Sequence, residues 1–432
     1  MTSPTESKSK EGVAIVLAAL LGASLMAGGA YWWSSRDQST TIAYESATTI
    51  VDADSSTTTS GGGSLGGEGV GTEPSTDTTA VEPSDDFAEH AVCPTGTDPV
   101  ICEAAAFVES TRGRAFKEFP LVELVDADEF EQRLLADFSD YEADLLADGA
   151  TLSALGLIPA DANLADVFRE SLAVGVVGFY DTITHELVIK GAELNLYAEL
   201  VIVHELTHAF DDQWFDLDRP EIDDGPDDAA YGFSALVEGN ASRVEDAWRK
   251  GLSDQDAAKL NAEEIGLFSA EDIQRYLAIP EFILQVQISP YVDGELFVSA
   301  VAADGGEGAV DALFAAPPTS SEQALHAEKF ADAEPPIPVD APVPSGDVLD
   351  EGSLGEIIVR EWLGSKAASG WGGDAYVTWD NGEGERCTDV RFVMDSSDDL
   401  RELIDALERW QGEADGRSLF TDGDEVSASA CV

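Results

Sequence analysis

The sequence predicts an α+β protein: a mostly helical domain with a small sheet, then a small C-terminal α+β unit, both behind an N-terminal membrane helix. Three observations predict it. Helical periodicity dominates from about residue 100 to 330. Two short strand-like runs, residues 175–180 and 185–190, interrupt it around a turn at 181–184. A Pro-rich stretch then precedes a tail that reads helix, strand, strand, helix. With 432 residues, 44% of them hydrophobic, the chain can bury a sizeable core in one large domain or two.

The charge balance limits the partners. There are 85 Asp and Glu against 23 Lys and Arg, for a formal net charge of -62. Nucleic acid and anionic lipid surfaces repel such a chain, so neither is expected as a partner. The acid is spread through helix-patterned segments as well as low-complexity ones, so it reads as solvation of a folded surface. A salty medium and an ordinary acidic secreted protein explain it equally.

Residues 13–33 form an uncharged apolar run long enough to span a bilayer. Lys8 and Lys10 precede it, and Tyr31, Trp32 and Trp33 close it. This predicts a cytoplasmic segment 1–12, a single-pass anchor 13–33 and an extracellular remainder. A cleaved signal peptide is the competing reading, disfavoured by the length of the run. Residues 34–88 are rich in Ser, Thr, Gly and acid, are poor in large apolar side chains, and read as a flexible stalk. Folded sequence is expected over 89–335, a Pro-rich linker over 336–353, and the C-terminal unit over 354–432. Cys93, Cys102, Cys387 and Cys431 form no CxxC pair; an even count in an exported chain predicts disulfides. Spacing suggests Cys93 with Cys102 and Cys387 with Cys431, although three connectivities are open.

Along the folded part, helices are expected over about 103–116 and 130–146. Asn195 is a plausible N-cap for a helix over 196–215, which is apolar on most sides and should be buried. Another helix follows over about 228–250, after a turn-rich stretch, and more continue to about 330.

The chemistry centres on His204-Glu-Leu-Thr-His208 within that apolar helix. Histidines four apart share a helix face, so both imidazoles reach one ion, and Glu205 lies beside it. This arrangement suits a zinc-activated water with a carboxylate to deprotonate it. Only five histidines occur in the chain, and two fall at this spacing. A third protein ligand is expected. Glu238, in Ala235-Leu-Val-Glu-Gly239, is a carboxylate among small and apolar neighbours, costly to bury unless paired or metal-bound. Gly239 beside it would let two helices approach closely.

These residues resemble the gluzincin metallopeptidases, the thermolysin-like division of the zincins. The stretch from Val203 to Gln213, with Ala235 to Gly239, is most similar to a group of uncharacterised bacterial and archaeal surface proteins of that type. Segments 178–181, 290–294, 317–326 and 370–374 also resemble that group, so the resemblance covers most of the chain from about residue 100. It implies a zincin-like domain and a peptide or protein substrate. It also implies Zn2+ held by His204, His208 and Glu238, with Glu205 as general base. Strand 185–190, or its partner 175–180, would be the sheet edge that holds an extended peptide. The resemblance departs at Ser242, where the pattern has an Asp that orients a ligand histidine; Asp212 or Asp246 would take that role. For stabilising the transition state, His326 and Tyr291 are the candidates.

Other features carry less. His185-Glu186 lacks a second histidine and sits in a strand-like run. Asn240-Ala-Ser242 matches a glycosylation acceptor but lies on a buried helix. Trp371, Tyr376 and Trp379 in the tail suit a strand core better than a binding surface. Residues 87–114 would serve as a pro-segment if the site is latent. The alternative to an active peptidase is a non-catalytic zinc-containing surface-binding or envelope-structural protein.

Overall fold

The computed structural model describes residues 93–223 and 225–432, and it is a mixed α+β structure with two small sheets. The anchor 13–33 and the stalk lie outside the described residues. Among the described residues no helix is long and apolar enough to cross a membrane.

Helix α1 (Pro99–Arg112) starts four residues earlier than its apolar pattern suggests. Asp98 accepts a hydrogen bond from the Val100 amide, and Pro99 supplies a preset first-turn φ. Gly113 at φ 73 ends it. The Cys93–Cys102 disulfide closes its first turn. Ile101, Ala104, Ala105 and Val108 are buried in one core with the histidine-bearing helix. Residues 99–112 are therefore built into the core beside that helix. Strand β1 (Val122–Val125) follows. The helix expected over 130–146 is two: α2 (Ala127–Leu134), capped by Asp126, and α3 (Phe138–Leu155), which ends at Gly156. Helix α4 (Leu164–Gly175) takes the first residue of the expected 175–180 strand, because the Asn163 cap starts a helix that runs to Gly175.

The remaining strands are β2 (Gly178–Tyr180) and β3 (Leu187–Lys190). The first sheet has the order β1-β3-β2, with β1 parallel and β2 antiparallel to β3. The 185–190 run is thus the central strand rather than an edge, and β2 is the edge beside helix α5 (Leu196–Phe215). Gly178 permits this approach: a Cβ there would lie 2.5 Å from Val201 Cγ1 and 3.4 Å from Glu205 Cγ.

Helix α5 has the expected bounds. Asn195 caps it by accepting from the Ala198 amide, and residues 200–212 are all buried. A short α6 (Pro220–Asp223) leads to α7 (Asp227–Lys250), then α8 (Asp254–Gly266), α9 (Ala270–Tyr276) and α10 (Glu281–Ala315). Helix α10 holds Pro290 and breaks at Gly306, where φ is 66 and ψ is -168. Helices α7 and α10 cross at two glycines. A Cβ on Gly239 would meet the Gly294 carbonyl carbon at 2.1 Å, and one on Gly294 would meet the Ala235 oxygen at 2.1 Å. Gly239 therefore serves close helix approach, as its place beside Glu238 suggests, and the partner helix is α10.

Helices α11 (Ser321–Leu325) and α12 (Ala327–Ala331) lead to the C-terminal unit. That unit contains β4 (Asp347–Gly352), α13 (Gly355–Leu363), α14 (Ser365–Ala368), β5 (Trp371–Asp380), β6 (Arg386–Met394), α15 (Ser397–Gln411), β7 (Arg417–Asp422) and β8 (Glu425–Cys431). Its sheet order is β4-β5-β6-β8-β7, wholly antiparallel. Cys387 on β6 faces Cys431 on β8, and the two are bonded, so both suggested disulfides are present.

The expected 336–353 linker is corrected in two ways. Residues 347–352 are strand β4, and Ile337 lies against β5 through its amide to the Gly372 oxygen at 2.6 Å. Nor is the tail separate from the first domain. Thr151 of α3 bonds Asp350 and Thr378, and the Trp410 indole donates to the Leu155 oxygen at 3.0 Å. Trp371 and Tyr376 are core residues.

Asp228, in the first turn of α7, lies at the junction with this unit. Its Oδ1 accepts from the Ser321 amide at 3.0 Å, and its Oδ2 is buried with no partner. Burial pushes its carboxyl up to about 7, with Asp374 and Glu322 adding to the shift against the Ser321 hydrogen bonds. The folded state thus holds a proton that the unfolded chain releases near pH 4. Stability should fall as pH rises from about 4 to about 7. Asp228→Asn keeps the accepting oxygen and removes the charge, so it should shrink that fall; chemical denaturation of both chains at pH 5 and pH 8 checks it.

Candidate functional site

Helix α5 presents His204 and His208 on one face, and α7 crosses it to bring in Glu238. His204 Nε2 lies 3.2 Å from Glu238 Oε2, and His208 Nε2 lies 3.4 Å from the same oxygen. The three donor atoms all fall within 4.8 Å of one another, and this is the one such group among the described residues. Relative exposure is 0% for His204, Glu205 and Glu238, and 3% for His208. The sequence-predicted trio is therefore assembled, and it can hold a metal ion.

Two observations test that fit. Donors bound tetrahedrally about 2.0–2.1 Å from one ion sit roughly 3.3–3.4 Å apart, close to the two spacings from the imidazoles to Glu238. Some buried polar atoms of this group also lack a close hydrogen-bond partner: His208 Nδ1, Glu238 Oε1, and the Glu205 carboxylate apart from its contact with the Tyr180 backbone. Buried polar atoms seldom go unsatisfied, and a cation held by the trio would engage Glu238.

The electrostatics describe the metal-free group. Burial pulls the His204 imidazole down, but the hydrogen bonds to Glu238 and Glu245, with Glu205 nearby, push it up to about 10. Burial pushes Glu205 up to about 7, against the His208 and His204 imidazoles and with Glu238 in support. Burial raises Glu238 too, yet His208 and His204 outweigh it and hold it below the usual carboxylate range.

Tyr291, on α10, stacks on His204 with ring centroids 5.9 Å apart. Burial, then the charges of Glu238 and Glu205, holds its phenol well above its ordinary value, so it stays a donor beside Glu238. His326 is placed elsewhere. Its Nε2 pairs with Glu356 of α13 at 2.9 Å, a contact between the two units rather than with the trio. His185 lies in the turn before β3 with φ 58, not on a strand, and its Nδ1 meets Asp212 Oδ2 at 3.0 Å.

Neither expected supporting acid touches a ligand histidine. Asp212 accepts from the Tyr180 hydroxyl at 2.7 Å and the Leu217 amide at 3.0 Å, and Asp246 pairs with Lys250. The sequence reading missed Glu245. Its Oε2 lies 3.1 Å from His204 Nδ1, which fixes Nε2 toward Glu238. Spacing could have found it: position 245 follows Glu238 by seven residues, two helical turns, and shares its face. Glu245→Ala should lower metal affinity by about 10- to 100-fold with the fold retained; competitive titration with a zinc chelator, alongside circular dichroism, checks it.

Beneath His208, Asp211 is wholly buried between Asn240 Nδ2 at 2.5 Å and Arg112 at 3.1 Å. Arg112 also binds Asp311 and Glu307. This network ties α1, α5, α7 and α10 together under the trio. It also encloses Asn240, which is buried and cannot accept a glycan.

An α+β protein with a buried two-histidine, one-glutamate group able to hold a metal ion is what fold and site define. No protein-family model, curated protein or solved structure matches the chain.

Proposed function

We propose that the chain is a zinc-dependent peptidase in which His204, His208 and Glu238 hold the ion and Glu205 is the general base. The observation that carries this reading is the convergence of one donor atom each from His204, His208 and Glu238 within 4.8 Å of one another in a buried site, with the Glu205 carboxylate beside them. Two imidazoles and a carboxylate suit zinc, and three protein ligands leave a fourth position for chemistry. Bound there, zinc would supply Lewis acidity that acidifies water and polarises a carbonyl.

Within this reading Glu205 takes a proton from the attacking water and passes it to the leaving amine nitrogen. Tyr291 holds its proton beside Glu238 and steadies the ligand set. Strand β2 supplies the peptide-binding edge. The Asp181 amide bonds Glu186 and the Lys190 amide bonds Val177, so odd-numbered residues face β3. By alternation, the backbone groups of Gly178 and Tyr180 face the free edge, on the Glu205 side. An extended peptide pairing there would lie along α5. We place the chain, on its residues, with the gluzincin-type zincins, and its catalytic part outside a membrane held by segment 13–33.

One observation favours the second reading, a zinc-containing protein without peptide cleavage: Glu205 is wholly buried. Cleavage requires β2 and α5 to part enough to admit a peptide. Peptide-library digestion by the full chain, with zinc measured on the same sample, separates the two readings.

A further inference from the structure

One helical turn beyond His208, α5 opens onto a cavity of about 730 Å³ between the end of the helix, the chain entering β1, and the end of β2. That volume is large enough for two or three residues of a peptide. Much of its polar lining is already engaged. Asp212 is saturated by Tyr180, His185 and the Leu217 amide. The Lys117 amine binds the Gln213 carbonyl and lies 4.8 Å from the Trp214 ring centre. Gln213 in turn pins the 117–118 backbone to the helix end, at 2.8 Å and 3.1 Å. The apolar part of the lining is Phe119, Pro120, Leu121, Trp214 and Phe215, and the carboxylates of Glu118 and Asp216 also lie at the cavity. Leu121 is 64% exposed, a large apolar side chain left uncovered at the rim.

The direction of the chain decides which part of a substrate would reach this cavity. Gly178, at the start of β2, packs on Val201 and Glu205, while Tyr180, at its end, bonds Asp212. Strand β2 therefore runs the same way as α5. A peptide adding antiparallel to β2, the commoner pairing, runs the opposite way. Its N-terminal half then lies toward Tyr180 and the cavity.

We propose that this cavity is a subsite for bulky apolar side chains on the N-terminal side of the cleaved bond, and that it sets the substrate preference. The inference rests on the peptidase reading and adds to it a substrate class: peptides with Leu, Phe, Met or Tyr within the three residues before the cleaved bond. Glu118 and Asp216 at the cavity, on a chain of net charge -62, disfavour acidic residues there.

The test is cleavage profiling of the full chain, zinc-loaded, on a proteome-derived peptide library, read by mass spectrometry. Leu121→Glu and Leu121→Ala run in parallel. The expected result is apolar enrichment before the bond. Leu121→Glu should lower kcat/KM for such peptides about tenfold relative to peptides with Ala at those positions, and Leu121→Ala should lower that ratio less. Enrichment confined to the residues after the bond, or a preference unmoved by Leu121→Glu, would overturn the subsite while leaving the peptidase in place. Bound zinc with no cleavage of any peptide would remove the peptidase reading itself, and the subsite with it.

Discussion

Glu205→Gln is expected to reduce peptide cleavage by about 10²- to 10⁴-fold while leaving metal content unchanged. The side chain contributes no ligand atom to the trio. Its carboxylate lies beside the ligands and is wholly buried. Gln has the same shape and removes only the basic oxygen, so the fold and the ligand geometry should survive. Single-turnover rates and metal analysis on the same preparation check this. A variant that lost metal along with activity would make Glu205 part of the binding site rather than the base.

The second large effect concerns Glu238. Both imidazoles meet its Oε2, so it is the centre of the group rather than one ligand of three equal members. Glu238→Gln keeps the volume and removes the charge. Metal binding should be lost, and the thermal response to metal with it. For the native chain, saturating zinc at about 1,000 times its Kd stabilises the fold by about 4 kcal/mol, which raises Tm; chelation reverses that. The variant's Tm should respond to neither. Its fold should persist, because glycine contacts and an ion-pair network hold α5, α7 and α10 together independently of the trio.

Much of this site was legible in the sequence, for a physical reason. Helical spacing fixes which side chains share a face, so His204, Glu205 and His208 needed only a correct helix assignment, and Asn195 marked its start. Glu238 was legible because a carboxylate among Ala, Leu, Val and Gly needs a partner. The supporting residue was not, because Asp212, Asp246 and Glu245 are all acids near a ligand, and rotation about the crossing of α5 and α7 chooses among them. His326 illustrates the same limit: its role at the junction with Glu356 depends on how two units dock.

In the fold, errors fell where the local pattern competes with tertiary pairing. Strand β4 reads as linker because its sequence, Asp347–Gly352, is acidic and largely exposed, and only pairing with β5 makes it a strand. Strands β7 and β8 went unread for a related reason: β7 is mostly exposed, and Ser and Ala fill much of β8. The place of β2 at the sheet edge depends on β1 pairing parallel with β3 across more than sixty residues of chain, which no local pattern encodes.

The central claim is tested most directly by one measurement: zinc content and peptide-library cleavage on the same sample of full chain, beside Glu205→Gln and a chelated control. About one zinc per chain, with cleavage present in the native sample and lost in both controls, is the expected result. Zinc without cleavage would contradict the peptidase reading, and no zinc at all would contradict the site.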